Sequence, residues 1–117
     1  MHKVLGNHLI IEYYDCDYAV LNDVNAIESI MLEAANLAKA TIIDSVFHKF
    51  SPQGVSGVVV IAESHLSIHT FPELNYAAVD VFTCGNIDYM IAHNYLKLKL
   101  HCNNCNVKVI KRGIIND

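Results

Sequence analysis

A serine, two histidines and a cysteine recur over a short span in "AESHLSIHTFPE" and "FTCG". Ser64 is flanked by Glu63 and His65, His69 lies five positions on, and Cys84 precedes Gly85. Hydroxyls and thiols attack carbonyl carbon or hand over a proton, and imidazole moves protons near neutral pH. Such a set permits acyl or proton transfer. Each residue also has a plain structural use: a polar turn, a hydrogen-bonded strand histidine, a small buried thiol. Spacing alone leaves both readings open.

The elements that must hold these residues are mostly strands. "HLIIEYY", His8 to Tyr14, is β-branched and aromatic and predicts a first strand. A helix follows, with Val24, Ile27, Ile30, Met31, Ala34 and Leu37 at helical spacing and Asn22 or Asp23 as its N-cap. "TIIDSVFHKF", Thr41 to Phe50, predicts a second strand ended by the turn "SPQG". "SGVVVIAE" and "LSIHTF" predict a strand pair around Ser64, and "YAAVDVFTC", Tyr76 to Cys84, another strand. A second helix is expected with Ile87, Met90, Ile91, Tyr95 and Leu98 inward, then a short strand "VKVIKR".

This order does not alternate strand and helix, so the expected fold is α+β: a two-layer sandwich of a mostly antiparallel sheet with helices on one face. On alternate sides of a strand, Ser67, His69 and Phe71 share one face, and Ala78, Asp80, Phe82 and Cys84 share another. If these two strands are neighbours, an imidazole, a carboxylate and a thiol meet on one surface.

The 117 residues suit one domain, 1–117, with 53% apolar and 17% charged residues. So little charge predicts apolar surface covered by a partner, most simply a second copy. A net charge of −4 without a basic run argues against nucleic acid or an anionic membrane as partner. No stretch nears the roughly 18 apolar residues of a membrane span. The first residues lack a secretory apolar core with a cleavage site, so the expected location is cytoplasmic, with Cys16, Cys84, Cys102 and Cys105 reduced.

The run "HKFSPQGVSGVVVIAESHLSIHTFPELNYAAVDVFTCG", His48 to Gly85, closely resembles the pyruvoyl-dependent S-adenosylmethionine decarboxylases of bacteria and archaea. "GNHLIIEYYDCD" is similar to that family's first strand, whereas the chain after about Ile87 matches weakly. The resemblance implies that the turn cuts itself. The Ser64 hydroxyl attacks the Glu63 carbonyl carbon and turns the amide into an ester. Loss of the α-proton then breaks the ester, and the dehydroalanine left behind rearranges to an imine that water hydrolyses, releasing ammonia and leaving a pyruvoyl group. A β chain of residues 1–63 and an α chain of residues 64–117 result.

The resemblance assigns further roles. His69 is the base in processing, and Ser56 assists it; the alternative for Ser56 is a turn hydroxyl that satisfies backbone. A peptide bond attacked by its own side chain calls for a strained, polarised turn. The pyruvoyl ketone takes the substrate amine as a Schiff base and accepts the electrons freed with carbon dioxide. Cys84 then protonates the carbanion, a fitting task for a thiol of ordinary pKa about 8.5. Glu73 holds the ribose hydroxyls, and Phe50 and Phe71 flank the adenine and sulfonium. Both phenylalanines also suit a core or an interface, and many relatives carry tryptophan in place of Phe71. No role falls to His8, Glu12 or Asp15.

S-adenosylmethionine is thus the expected substrate and the aminopropyl donor for spermidine the expected product, made by a homodimer of processed protomers with sites at the interface. Alternatives are a related arginine or ornithine decarboxylase, or an unprocessed binding homologue, against which Ser64, His69 and Cys84 argue. "HCNNC", His101 to Cys105, holds a lone CxxC. A structural zinc takes four ligands and no second pair is near, so neither a metal nor a redox role is expected and the segment reads as an unpaired loop or strand edge.

Overall fold

Alternating apolar and polar residues make strands of more than half this chain, and the computed structural model, which describes residues 2–116, joins them into one six-stranded sheet. Met1 and Asp117, the outer ends of the two expected chains, lie outside the described residues. Strand β1 (His2–Tyr14) is followed by α1 (Tyr18–Leu21), α2 (Val24–Leu37), β2 (Thr41–Lys49), β3 (Val55–Ala62) and β4 (Ser64–Phe71). A single 3-10 turn, Pro72–Leu74, leads to β5 (Tyr76–Cys84), α3 (Tyr89–Lys99) and β6 (Asn104–Asn116). The spatial order is β2-β3-β4-β5-β1-β6, with every neighbouring pair antiparallel.

Strand alternation sorts the side chains into two faces. Leu9, Ile11 and Tyr13 of β1, Val59 and Ile61 of β3, Leu66 and Ile68 of β4, and Val79 and Val81 of β5 are buried. They meet Ile27, Met31, Ala34 and Ala35 of α2 and Ala92 and Leu96 of α3. The expected helix layer on one face is present. The other face is partly open, exposing Val46, Val60, Ile10, Ile110, Tyr14 and Phe71 among polar groups.

Three aspartates start the helices. The carboxylates of Asp17, Asp23 and Asp88 accept from the backbone N–H of Val20, Ala26 and Ile91. Asp23 rather than Asn22 caps α2. The inner face expected for the last helix is corrected: α3 buries Ala92, His93 and Leu96, whereas Met90, Ile91 and Leu98 are exposed. Its large apolar residues wind around the helix, so size alone picked the wrong stripe; Ile87 and Tyr95 do pack on the core. Leu37, at the end of α2, is likewise exposed.

The first and last strands are longer than expected. Beyond the Gly6–Cys84 pair, β1 and β6 continue alone as a two-stranded arm, pairing His2–Val4 with Ile114–Asn116. The chain around Phe50 is fixed at the other end of the sheet. Phe50 N–H donates to the Gly54 carbonyl, and Gly54 N–H to Oδ1 of Asn22. Nearby, the buried Thr70 hydroxyl donates to the Leu21 carbonyl and accepts Val55 N–H.

Candidate active site

Ser64 opens β4 after a two-residue corner, Ala62–Glu63, that joins the paired residues Ile61 and Ser64. Its hydroxyl lies 3.5 Å from the Cys84 thiol at the end of β5. The Cys84 backbone N–H donates to the carbonyl oxygen of Glu63 at 3.0 Å. The carbonyl expected to be attacked is therefore already held by a fixed donor. Such a donor favours negative charge on that oxygen. Two glycines make room: a Cβ on Gly6 would stand 2.6 Å from the Thr83 carbonyl and 2.9 Å from the Cys84 sulfur. Gly85, at φ +73°, lets the chain turn away directly after Cys84.

His69 and Ser56 are elsewhere on the sheet. They face each other across β3 and β4, with Ser56 Oγ 2.8 Å from His69 Nδ1. An open cavity of about 290 Å³ lies over them, lined also by Val46, Gly57, Val58 and Ser67. His69 is five residues along β4 from Ser64, roughly 16 Å at the usual strand rise. The structure thus joins Ser64 to Cys84 and Ser56 to His69, and keeps the two pairs apart within one chain.

Phe50, Phe71 and Glu73 lie at the His69 end. Phe71 is exposed and stacks on Tyr76, with ring centres 5.6 Å apart. Tyr76 stacks in turn on Tyr14, and its hydroxyl donates to Oε1 of Glu12 at 2.6 Å. Burial first, and then that bond to the Glu12 carboxylate, raise the Tyr76 phenol above its ordinary range. Phe50 is exposed and meets His48 edge to face at 4.6 Å. Glu73 is exposed on the 3-10 turn, which ends in Asn75 at φ 52°.

Between the two ends runs a polar chain that strand alternation only hinted at. Ser67 Oγ donates to Oδ2 of Asp80, whose Oδ1 lies 2.9 Å from Nε2 of His8. Arg112 Nη1 reaches Nδ1 of His8 at 3.1 Å, and its guanidinium lies over the Phe82 ring at 5.0 Å. The expected sharing of one face by Asp80, Cys84 and His69 holds. His8 and Arg112 come from opposite ends of the chain, and only the β1–β6 pairing unites them. Among the described residues no group of three or more His, Cys, Asp or Glu is arranged to hold a metal ion. None of the helices there is long and apolar enough to cross a membrane.

Comparison with known proteins is consistent along the chain. A family model described as S-adenosylmethionine decarboxylase matches residues 7–113. The S-adenosylmethionine decarboxylase proenzyme of Pelotomaculum thermopropionicum is 54% identical over 114 residues, 97% of this chain and 90% of that one. The protein of the same name from Carboxydothermus hydrogenoformans is 56% identical over 114 residues, with the same shares covered. Among solved structures, the adenosylmethionine decarboxylase of Aquifex aeolicus VF5 superposes with a TM-score of 0.92 at 36% identity, covering 98% of this chain and 96% of its own.

Proposed function

The chain belongs to the S-adenosylmethionine decarboxylase family, and from that premise we propose how its residues carry out the reaction. It is an S-adenosylmethionine decarboxylase, a carboxy-lyase made as a proenzyme. One contact carries the reading of its first step: the Glu63 carbonyl accepts Cys84 N–H beside the Ser64 hydroxyl. Ser64 Oγ bonds to the Glu63 carbonyl carbon, the C–N bond breaks, and the hydroxyl proton passes to nitrogen. Removal of the Ser64 α-proton then expels the Glu63 carboxylate. Chains of residues 1–63 and 64–117 result.

The residues around Ser64 suit a small carbonyl group, because Gly6 leaves the Cys84 thiol clear. The pyruvoyl group made from Ser64 supplies a ketone that takes up the substrate amine and receives the electron pair freed as carbon dioxide leaves. Cys84 stands beside that position and returns a proton to the former α-carbon. Glu73 accepts from the ribose hydroxyls, while Phe50 and Phe71 offer π faces to adenine and sulfonium.

These parts meet when two protomers lay their open sheet faces together in opposite directions. Ser64 and Cys84 of one chain then lie against Ser56, His69, Phe50, Phe71 and Glu73 of the other. The separation of the two pairs along β4 and the apolar residues on the open face support this arrangement. His69, held at Nδ1 by Ser56, has its Nε2 free to take the α-proton. The product is the aminopropyl donor for spermidine, formed in the cytoplasm.

Incubating the purified protein in parallel with S-adenosylmethionine, arginine and ornithine tests the substrate by release of carbon dioxide. Only S-adenosylmethionine should react. Intact mass should show fragments of 63 and 54 residues, and Ser64→Ala should stay whole and inactive. Full activity in an uncut chain overturns the processing scheme, and turnover of arginine or ornithine instead overturns the substrate.

A further inference from the structure

The "HCNNC" segment, which the reaction does not use, meets a third cysteine in the fold. Cys16 follows β1 and is buried, as is Cys102 after α3. Asp17 N–H donates to the Leu100 carbonyl at 3.1 Å and stitches their segments together. The two cysteines flank this seam, Cys16 directly before Asp17 and Cys102 two residues after Leu100, and the Cys102 thiol donates to the Asn104 carbonyl at 2.9 Å. Cys105 stands opposite Tyr13 on β6. Cys102 is also in the wall of an open cavity of about 370 Å³, beside Lys97 and His101. Cys102 is therefore within reach of a small solute, whereas Cys16 is buried and does not line that cavity.

We propose that Cys16 and Cys102 form an oxidant-sensitive thiol pair whose disulfide joins the two chains produced by self-cleavage. Cys16 belongs to residues 1–63 and Cys102 to residues 64–117, so the clause about two chains rests on the processing scheme above. The pairing itself does not. The co-reactant is a peroxide. Its O–O bond is cleaved as the Cys102 sulfur is oxidised to a sulfenic acid, with release of water. The Cys16 sulfur then attacks that sulfur, the S–O bond breaks, and a second water leaves. Two thiols lose two hydrogens and one hydrogen peroxide becomes two waters. Burial, followed by the neighbouring Cys102, pushes the Cys16 thiol up to about 12, which keeps it protonated and leaves the first reaction with the oxidant to Cys102. The pair lies at the opposite end of β1 from Gly6, which pairs with Cys84. Cys84 therefore does not compete for Cys16.

The test treats processed enzyme with hydrogen peroxide, blocks free thiols with N-ethylmaleimide, and measures intact mass under denaturing conditions without reductant. The expected species is the sum of the two chains less two hydrogens, split again by dithiothreitol. Cys105→Ser should keep the link, while Cys16→Ala and Cys102→Ala should each abolish it. Peptide mapping of the wild type gives the same answer if a variant folds poorly. In uncut Ser64→Ala the pair should appear as a loss of two hydrogens from the single chain, absent from Ser64→Ala/Cys16→Ala. A Cys16–Cys102 link in Ser64→Ala beside an uncut wild type would fault the processing scheme alone. Chains that stay separate, or a disulfide confined to Cys102 and Cys105, overturn the pair.

Discussion

The Ser56 hydroxyl lies 2.8 Å from His69 Nδ1, and this pair stands five residues down β4 from Ser64. A strand does not fold back over that distance, so His69 cannot take a proton from Ser64 of its own chain without rebuilding the sheet. Co-expressing Ser64→Ala with His69→Ala chains tests whether a partner supplies it. Each variant alone should stay uncut. In mixed dimers the His69→Ala chain meets an intact His69 and should be cleaved, as read by mass. Phe50→Ala mixed with Ser64→Ala should likewise recover up to about a quarter of normal activity under random pairing, one site in each mixed dimer being whole. Mixed dimers that neither cleave nor react would show that each protomer builds its own site.

Cys84 touches the Ser64 hydroxyl through its sulfur and the Glu63 carbonyl through its backbone N–H. Replacing the side chain leaves the backbone donor in place. Cys84→Ala should therefore still cut itself at least in part. Its decarboxylation should fall on the order of 100-fold or more, the usual loss when a positioned proton donor is removed. Incorrect protonation should also consume the pyruvoyl group over time, visible as a mass change of the α chain. Wild-type turnover without inactivation would remove Cys84 from the role of proton donor.

The fold was legible wherever residue type and period agree. Val79, Val81 and Thr83 alternate with Asp80, Phe82 and Cys84, and β5 spans the expected Tyr76–Cys84. The period-2 pattern also put Asp80, Cys84 and His69 on one face. It could not give α1, whose four residues hold too few turns for a periodic signal. Nor could it give the length of β6, whose residues past Val107 are exposed on both sides and so lack alternation. The family resemblance named Ser64, His69 and Cys84 but carried no distance, and residues close in the chain proved to be two separate pairs. The contact of His8 with Arg112 depends on a pairing across the whole chain, for which one sequence carries no local mark.

Gly6 should be intolerant of a side chain. A Cβ there would press on the Thr83 carbonyl, a backbone atom that cannot swing aside, and on the Cys84 sulfur. Gly6→Ala should cost about 1–3 kcal/mol, as overpacking does, and slow both self-cleavage and decarboxylation by moving β5 against Ser64. Thermal unfolding and the rate of appearance of the 63-residue fragment measure the two effects. A variant with wild-type stability and wild-type cleavage would show that β1 and β5 separate easily at this point.

Stability should fall on mild acidification through His93. This imidazole is buried on α3, with Nδ1 2.7 Å from the Tyr13 hydroxyl and the two rings stacked 5.6 Å apart. Burial, and then the nearby Lys97 charge, lower its pKa from the ordinary 6.5. The unfolded chain therefore takes up a proton at this residue at a higher pH than the folded one. Below about 6.5 the unfolded state binds more protons, which pulls the equilibrium toward it. The stabilising effect of a neutral His93 is complete above that pH and is lost as the pH falls through it toward the folded value. His93→Phe keeps an aromatic ring against Tyr13 but cannot titrate. Its Tm at pH 7.5 should be lower, because the Tyr13 hydroxyl loses the ring nitrogen. Between pH 7 and 5 its Tm should decline less steeply than that of the wild type. Equal slopes for the two proteins would mean that His93 binds its proton as readily in the fold as in the open chain.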